Sequence, residues 1–224
     1  MGTLMPIFLC IISLFLYFFD YLCYNQNMKL YLIRHGETDQ NKNEVIQGRG
    51  DFLLSDIGIS QSIEAGRILK KLNYHFTKAY SSPLTRAKDT LKNILNEMEL
   101  NLEIKIENDL IEREFGELEG MKLTPEVREL VVLDNAKGFE KKKDLFKRVK
   151  NVLLKIVKES NKDDEIIIVT HSHVIKQVLM MIDENSFNFN SRLYNLGMVT
   201  IEYKDDSFKL LEANRGLANG QSFN

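Results

Sequence analysis

Two short, unbroken apolar runs, each followed by a histidine, place the strongest constraint on how this chain can fold. The first covers residues 30–33 and leads into Arg34 and His35, and the second covers residues 166–169 and leads into His171. Apolar runs of this length are typical of strands buried on both faces of a parallel sheet. Ligands of open α/β sheets bind beyond the carboxyl ends of the strands. We therefore expect both histidines at one sheet edge, where they and Arg34 suit an anionic substrate and predict an enzyme.

The rest of the chain alternates between helical and extended patterns. Ser55 offers a helix N-cap, and Ser82 followed by Pro83 offers a second one. Four residues supply the apolar face of the first of these helices: Ile59, Ile63, Leu69 and Leu72. Further helices are expected near 126–133, through 145–157 and over 172–181, strands around 78–80 and 102–106, and a hairpin turning at 205–206. Strands that alternate with helices predict an α/β three-layer sandwich whose central sheet is mainly parallel and flanked by helices.

Residues 1–27 form a hydrophobic N-terminal segment unlike the rest. Asp20 is the only charged residue before Lys29, and residues 4–24 as a helix would be ~31 Å long, about one hydrocarbon thickness. One interpretation is a membrane anchor, and the positive-inside rule then leaves the following domain in the cytoplasm. The other is that Met28 is the true start of the protein. Both interpretations put the catalytic domain, residues 28–224, in the cytoplasm.

Composition limits the remaining 197 residues (224 − 27) to one ordinary domain with a single core. The formal charge of −2 gives no global basic bias towards nucleic acid. Both cysteines, Cys10 and Cys23, lie in the N-terminal segment, so the domain has neither a disulfide nor a thiolate metal site. No pattern in the sequence specifies an oligomeric state.

Four segments of the domain carry the candidate site residues: 34–41, 81–87, 110–120 and 169–172. In this order they resemble the nucleophile loop, the second arginine segment, the acid-bearing loop and the second histidine of the histidine phosphatase (phosphoglycerate mutase-like) superfamily. The resemblance extends over roughly residues 28 to 214. A single Arg-His-Gly is a weak signal, whereas four segments in register form a strong one.

The resemblance implies a role for each matching residue. His35 attacks phosphorus and becomes a phosphohistidine, Glu112 is the general acid, and His171 stabilises the charge on the transferring group. The implied phosphate-binding residues are Arg34, Asn41, Arg86 and Ser172. Further candidate substrate contacts are Thr38, Gln47, Gly48 and Arg113. The scheme requires no metal and no other cofactor, and its partner is a small phosphorylated substrate.

The residue types suit this chemistry. Imidazole is a nucleophile only when neutral, its ordinary pKa is ~6.5, and neighbouring cations disfavour its protonated form. Arginine presents forked donors that match phosphoryl oxygens. A carboxylic acid such as Glu112 protonates the leaving oxygen and, once ionised, activates the water that hydrolyses the phosphohistidine.

Several of these residues also allow other interpretations, either structural or metal-binding. His171 and His173 have the spacing of a metal pair, although no carboxylate or cysteine stands in a matching position. His173 is otherwise expected to be a surface or capping residue, and residues 47–48 could form a plain turn. Three further carboxylates crowd Glu112, which only the motif selects: Glu114, Glu117 and Glu119.

A phosphomonoester phosphatase acting on a small phosphorylated metabolite is the function that this pattern favours. The alternatives are a cofactor-dependent phosphoglycerate mutase and a non-catalytic phospho-ligand-binding adaptor. Glu112 and His171 are 59 residues apart (171 − 112), too few for the long mutase cap, while Arg113 beside the acid keeps the mutase open. Adaptors of this kind lose the histidine or the acid, and this chain has both. Ser172 departs from the pattern, since relatives often have glycine there.

Overall fold

The computed structural model describes residues 28–218, which form one six-stranded sheet with helices on both faces. The strands are β1 (Met28–Arg34), β2 (Lys78–Ser81), β3 (Ile104–Ile106), β4 (Glu165–Thr170), β5 (Gly197–Lys204) and β6 (Ser207–Gly216). The helices are α1 (Asp39–Lys42), α2 (Asp56–Lys71), α3 (Thr85–Glu97), α4 (Pro125–Leu133), α5 (Lys142–Lys158) and α6 (Ser172–Ile182). Short 3-10 turns cover Asn108–Leu110 and Gly116–Leu118.

The strand order is β3-β2-β4-β1-β5-β6, and the first four strands are parallel. Strands β5 and β6 join by antiparallel pairing, which makes the sheet mixed at one edge. Arg34 lies opposite Thr170 in the β1–β4 register, so His35 and His171 leave adjacent strands at the same sheet edge. The predicted α/β sandwich is confirmed, and so is the common edge for the two histidines.

Two apolar clusters, one on each face, bury the sheet. Leu30 and Leu32 of β1 pack with α5 and α6, whereas Tyr31 and Ile33 pack on the opposite face with α2 and α3. The unbroken apolar run of β1 follows from this arrangement, because every position of the strand faces a helix layer. A third, smaller cluster joins α4 to the acid-bearing loop, and it consists of Ile46, Phe115, Leu118, Val127, Val131 and Phe139.

Helix α2 begins as predicted and buries the predicted Leu69, but it packs otherwise through residues that were not predicted. Ser55 caps it by accepting a hydrogen bond from the Gly58 N–H, whereas the predicted apolar residues Ile59 and Leu72 are 42% and 46% exposed. The residues that α2 buries are mostly small: Gly58, Ser62, Ala65, Gly66 and Leu69. A Cβ at Gly66 would lie 2.9 Å from the Ile94 carbonyl oxygen of α3. Small residues let the backbones of α2 and α3 approach closely. The contact between the helices therefore uses these small residues, and Ile59 and Leu72 of the expected apolar face remain exposed.

Helix α3 starts two residues later than predicted. Its N-cap is Leu84, which makes no side-chain capping bond, so the predicted cap at Ser82 is wrong. The carboxylate of Asp51 caps the helix from a distant loop, accepting hydrogen bonds from the Thr85 N–H at 2.7 Å and the Thr85 hydroxyl at 2.8 Å. The hydroxyl of Ser82 instead contacts His171, at 2.7 Å from Nε2.

The remaining predicted elements are present, with small shifts of their ends. The strand expected at 102–106 is shorter, and the hairpin turns at Asp205 and Asp206, both at positive φ. No helix within residues 28–218 is long and apolar enough to cross a membrane. The predictions for residues 1–27 lie outside the described residues.

Candidate active site

His35 lies at the carboxyl end of β1, with 3% of its surface exposed, and its hydrogen bonds define its tautomer. The Gly36 carbonyl oxygen is 2.7 Å from Nδ1 and accepts only, so Nδ1 carries the proton. Nε2 therefore keeps its lone pair, and it accepts a hydrogen bond from the Arg86 Nε–H at 3.3 Å. Burial, and then the charges of Arg86 and Arg34, hold the pKa of His35 well below its ordinary value of 6.5. The imidazole is neutral at neutral pH, with a nucleophilic nitrogen directed towards a guanidinium.

Arg86, in the first turn of α3, is held by the loop over residues 47–51. Its Nη1 and Nη2 donate to the carbonyl oxygens of Gly50 and Gly48, at 2.6 and 2.9 Å. Gly48 has φ +51°, and a Cβ there would lie 1.9 Å from Oε1 of Glu119, so this loop requires glycine. Burial lowers the pKa of Arg86 to about 10, which leaves it cationic at neutral pH.

Arg34 and Asn41 approach the same cavity from the nucleophile loop. Arg34 Nη1 donates to the Leu193 carbonyl at 2.7 Å, while its buried Nε has no partner in the described structure. Asn195, which no sequence pattern selects, donates through Nδ2 to the His35 carbonyl at 2.9 Å and to Asn41 Oδ1 at 3.2 Å. Thr38 also donates to Asn41 Oδ1, from its N–H and its hydroxyl. Because Oδ1 accepts these bonds, Asn41 offers its amide N–H groups to the cavity.

His171 is fully buried, and its ring centroid lies 5.1 Å from that of His35. The Ser82 hydroxyl is 2.7 Å from Nε2, and Ser82 Oγ also accepts a hydrogen bond from the Leu84 N–H at 3.3 Å. Nδ1 is buried and has no partner among the described residues. Burial, then Arg86 and His35, lower the pKa of His171 well below 6.5. A neutral His171 that accepts the Ser82 proton at Nε2 carries its own proton on Nδ1.

Glu112 lines the cavity with 7% of its surface exposed, and its backbone neighbours hold the carboxyl in place. Oε1 accepts from the Arg113 N–H at 2.8 Å, and Oε2 lies 3.5 Å from the His173 N–H. Burial raises the pKa of Glu112, and these two N–H groups partly oppose that effect. A raised pKa keeps the carboxyl protonated at higher pH, as a general acid requires.

The Arg113 guanidinium lies apart from this group. It is fully buried, forms an ion pair with Asp134, donates to the Glu140 carbonyl at 2.9 Å and stacks on the rings of Phe139 and Phe189. It is absent from the cavity lining, so the predicted substrate contact by this side chain has no geometric support. Its backbone N–H supports Glu112 instead.

His173 is packed rather than exposed, contrary to expectation. Its ring stacks on Phe189 at 4.7 Å and meets Phe115 edge-on at 5.0 Å. Among residues 28–218, no group of three or more His, Cys, Asp or Glu side chains could hold a metal ion. Since Ser82 occupies His171 Nε2 and Phe189 covers His173, the H-x-H spacing serves packing and hydrogen bonding here.

One cavity brings most of the predicted residues together. Those lining it are His35, Arg34, Asn41, Gln47, Gly48, Arg86, Glu112 and Ser172. Thr38 and His171 are fully buried beside it rather than in its lining. Two cations that the sequence reasoning missed also line it, Lys176 of α6 and Arg128 of α4. In the sequence each is only a basic residue on a helix that follows a motif. Basic residues are so common on helices that this position could not select them.

Comparison with known proteins identifies the family. Residues 30–216 match the family profile described as the histidine phosphatase superfamily, branch 1. The chain belongs to this superfamily. A phosphatase of Bacillus subtilis, named PhoE and described as uncharacterised, is 33% identical over 82% of this chain and 92% of its own length.

Two further comparisons differ in what they cover. The 2,3-bisphosphoglycerate-dependent phosphoglycerate mutase of Borreliella burgdorferi is 45% identical over 94 residues, but the match spans 42% of this chain and 38% of the mutase. The present chain therefore spans well under half the length of that curated relative in this alignment. Phosphoserine phosphatase of Entamoeba histolytica, solved as a mutant with phosphoserine and also with 3-phosphoglyceric acid, has 27% identity and a TM-score of 0.71. The alignments cover 84% of this chain and 96% and 97% of those structures.

Proposed function

We propose that this protein is a phosphomonoester phosphatase that hydrolyses a small phosphorylated metabolite through a phosphohistidine on His35. The observation that carries the proposal is the unprotonated Nε2 of His35 beside the Arg86 guanidinium and in the same cavity as Glu112. Similarity to a phosphatase over most of both chains supports it as well.

In the first step, Nε2 attacks phosphorus and the bond to the leaving oxygen breaks. Arg86 and Arg34 neutralise the phosphoryl oxygens, Asn41 of the cavity lining is a further donor, and His171, whose ring lies 5.1 Å from that of His35, is proposed to donate from Nδ1. Protonated Glu112 gives its proton to the leaving oxygen. In the second step, ionised Glu112 takes a proton from water, which attacks the phosphohistidine and releases phosphate and neutral His35. Cationic arginines supply the charge that a metal would otherwise provide, so activity should survive chelation by EDTA.

The mutase alternative rests on the 45% identity to the Borreliella enzyme over 94 residues. The position of Arg113 next to Glu112 in the sequence is compatible with a mutase. In the structure, however, its guanidinium forms a buried ion pair with Asp134. That contact favours the phosphatase, because this side chain is not directed at the cavity. The adaptor alternative is weaker, since the nucleophile and the acid are both present and hydrogen-bonded.

The deciding experiment is to incubate the 224-residue chain with 3-phosphoglycerate and with phosphoserine and to follow the products by phosphorus NMR. A phosphatase releases inorganic phosphate from one or both. Accumulation of 2-phosphoglycerate at a rate above phosphate release would instead identify a mutase. Binding of either compound without any turnover would identify an adaptor.

We also propose that the catalytic domain works in the cytoplasm. The sequence supports this, because basic residues such as Lys29 and Arg34 follow the apolar stretch 4–24, and basic flanks of such stretches are enriched on the cytoplasmic side. Protease protection of the domain in intact cells is the expected result, and digestion from outside would contradict it.

A further inference from the structure

The active-site cavity, about 160 Å³ in volume, shares lining residues with an outer cleft of about 630 Å³ and therefore adjoins it. Lys176 of α6 and Arg128 of α4 line both spaces, as Arg34 does. These two side chains therefore lie where the part of the substrate beyond the phosphate must pass.

Lys176 is a half-buried cation that forms no ion pair with any of the described residues. Its Nζ donates to the Phe189 carbonyl at 2.9 Å, and no carboxylate of residues 28–218 forms an ion pair with it. Burial lowers its pKa to about 8, and the charge of Arg34 acts in the same direction. The ammonium is thus mostly charged at neutral pH, and among the described residues only Glu112 opposes its charge, without forming an ion pair with it. Such an arrangement is costly unless an anion binds.

Arg128 adds a second unused cation. Its side chain is exposed and forms no hydrogen bond or ion pair within the described part of the chain. Glu112 is the carboxylate in the lining of the inner cavity, and Glu44 is the one in the lining of the outer cleft. Arg34 and Arg86 serve the phosphate in the proposed mechanism. Lys176 and Arg128 are therefore available to bind a second negatively charged group of the substrate.

An apolar wall also lines the inner cavity, formed by Val45, Ile46, Phe115, Leu123, Val131 and Phe189, with His173 and Asn190 as further polar lining residues. This wall suits a short carbon skeleton. Because Lys176 and Arg128 line the inner cavity together with His35 and Arg86, a second anionic group that reaches them lies only a few bonds from the phosphate. A carboxylate is smaller than a second phosphate, and its two oxygens match the forked donors of a guanidinium.

We propose that Lys176 and Arg128 bind a carboxylate on the leaving group, so that the preferred substrates are short phosphorylated carboxylic acids. The proposal rests on the proposed phosphatase function and adds the feature by which substrate is selected. In the bound state, the carboxylate lies between the ammonium and the guanidinium, and the apolar wall covers the carbon chain.

Two pairs of substrates isolate the carboxylate. 3-Phosphoglycerate differs from glycerol 3-phosphate, and phosphoserine from phosphoethanolamine, essentially in the presence of that group. For the 224-residue chain, kcat/KM for phosphate release should favour the carboxylate member of each pair by about 10- to 100-fold, as expected for hydrogen bonds to charged groups. Lys176→Met and Arg128→Met should each reduce this ratio by about tenfold. Lys147→Met, which removes an exposed lysine of α5, should leave it unchanged.

The pH dependence of the first pair provides a second readout, because kcat/KM reports the free enzyme. The ratio should fall as pH rises through about 8, where Lys176 loses its charge, and it should be flat in Lys176→Met. The charged groups that act on Lys176 are Arg34 of β1, Arg128 of α4 and Glu112. Their effects on the phosphate are common to both substrates and cancel in the ratio.

Binding to the His35→Ala variant separates this proposal from the proposed function, since that variant cannot form a phosphohistidine. Tighter binding of 3-phosphoglycerate than of glycerol 3-phosphate by calorimetry, lost with Lys176→Met added, supports the subsite even if no substrate is turned over. Equal affinity for the two compounds, or equal ratios in the Lys176→Met and Lys147→Met chains, overturns it. Absence of phosphate release from all four compounds counts against the phosphatase alone.

Discussion

The smallest feature on which the site depends is the hydroxyl of Ser82. Its oxygen accepts a hydrogen bond from the Leu84 N–H and lies 2.7 Å from Nε2 of His171. The hydroxyl can therefore donate its own proton in a hydrogen bond to that nitrogen. The ring proton of His171 then stays on Nδ1, the one nitrogen of that ring without a partner among the described residues. Ser82 is in this sense a positioning residue, which acts on substrate only through His171.

Ser82→Ala should lower kcat by about tenfold with little change in KM, because an imidazole without this bond also adopts the unproductive tautomer. Ser82→Thr keeps the hydroxyl and should restore most of the loss. Ser81→Ala is the matched control, since Ser81 is equally buried but donates to the Ser82 carbonyl oxygen at 2.9 Å. A merely structural role would give similar losses in Ser81→Ala and Ser82→Ala and no recovery in Ser82→Thr.

Glu112→Gln tests the acid at the same scale. Glutamine still accepts a hydrogen bond from the Arg113 N–H but cannot give a proton to the leaving oxygen. We expect kcat/KM for an alkyl phosphate to fall by about 10²- to 10⁴-fold, and for an activated aryl phosphate much less, since a good leaving group needs no protonation. Equal losses on both esters would mean that another carboxylate is the acid, and Glu114 would be tested next.

At the scale of elements, an ion pair connects the loop that carries Glu112 to helix α4, which lines the cavity. The fully buried Arg113 guanidinium forms an ion pair with Asp134, the C-cap of α4, and stacks on Phe139. This contact joins the acid-bearing loop to the helix that supplies Arg128. The geometry of both groups therefore depends on one buried charge pair.

Asp134→Asn should lower the free energy of unfolding by about 3 kcal/mol, because it leaves the buried guanidinium without its counter-charge. Asparagine tolerates the left-handed backbone of this position (φ 60°), so backbone strain contributes little. Asp205→Asn makes the same change at another left-handed residue and should have almost no effect. Urea denaturation compares the two, and equal midpoints would contradict the importance of this ion pair.

Elements with an unbroken pattern were predictable from sequence, whereas those set by distant partners were not. Strands β1 and β4 carry unbroken apolar runs, residues 30–33 and 166–169, because both faces of the sheet are covered there, and this pattern is visible in the sequence. The cap of α3 comes from Asp51, more than thirty residues earlier, and no local rule selects it. The packing of α2 depends on how closely Gly66 approaches α3, which is a property of the pair of helices.

The same distinction applies to the candidate site. Motif residues such as His35, Arg86 and Glu112 could be selected because the segments that carry them resemble, in the same order, the motifs of a known family. Asn195 and Lys176 could not, since each reaches the site through tertiary packing and neither stands in a distinctive pattern. His173 was expected at the surface because its partner rings, Phe115 and Phe189, come from other segments of the chain.

At the scale of the whole molecule, three neutral histidines, two of them buried and one half-buried, make stability depend on pH. The pKa values of His35, His171 and His173 are all held well below 6.5, chiefly by burial. Between 6.5 and these lowered values, the unfolded chain binds more protons than the folded one, so stability is lost as pH falls. The raised pKa of Glu112 opposes this loss, because its burial penalty is relieved on protonation.

We therefore expect the free energy of unfolding to decrease from pH 7 towards pH 5, with each histidine contributing up to about 1.4 kcal/mol per pH unit. His173→Phe keeps a ring between its aromatic neighbours but removes one titrating group, and it should reduce the slope by that amount. Urea midpoints measured between pH 5 and 7.5 give both slopes. Stability that is constant or increases on acidification would contradict neutral, buried imidazoles.

Trapping of the phosphoenzyme tests the central claim most directly. The 224-residue chain, mixed with a substrate from which it releases phosphate and quenched in alkali, should carry acid-labile phosphate on His35, located by mass spectrometry of its peptides. The trapped fraction should rise in Glu112→Gln, which lacks the base for hydrolysis of the intermediate. His35→Ala should show neither label nor turnover, whereas His75→Ala, which removes an exposed histidine, should behave as wild type. Phosphate on any other residue, or turnover that persists in His35→Ala, would contradict nucleophilic attack by His35.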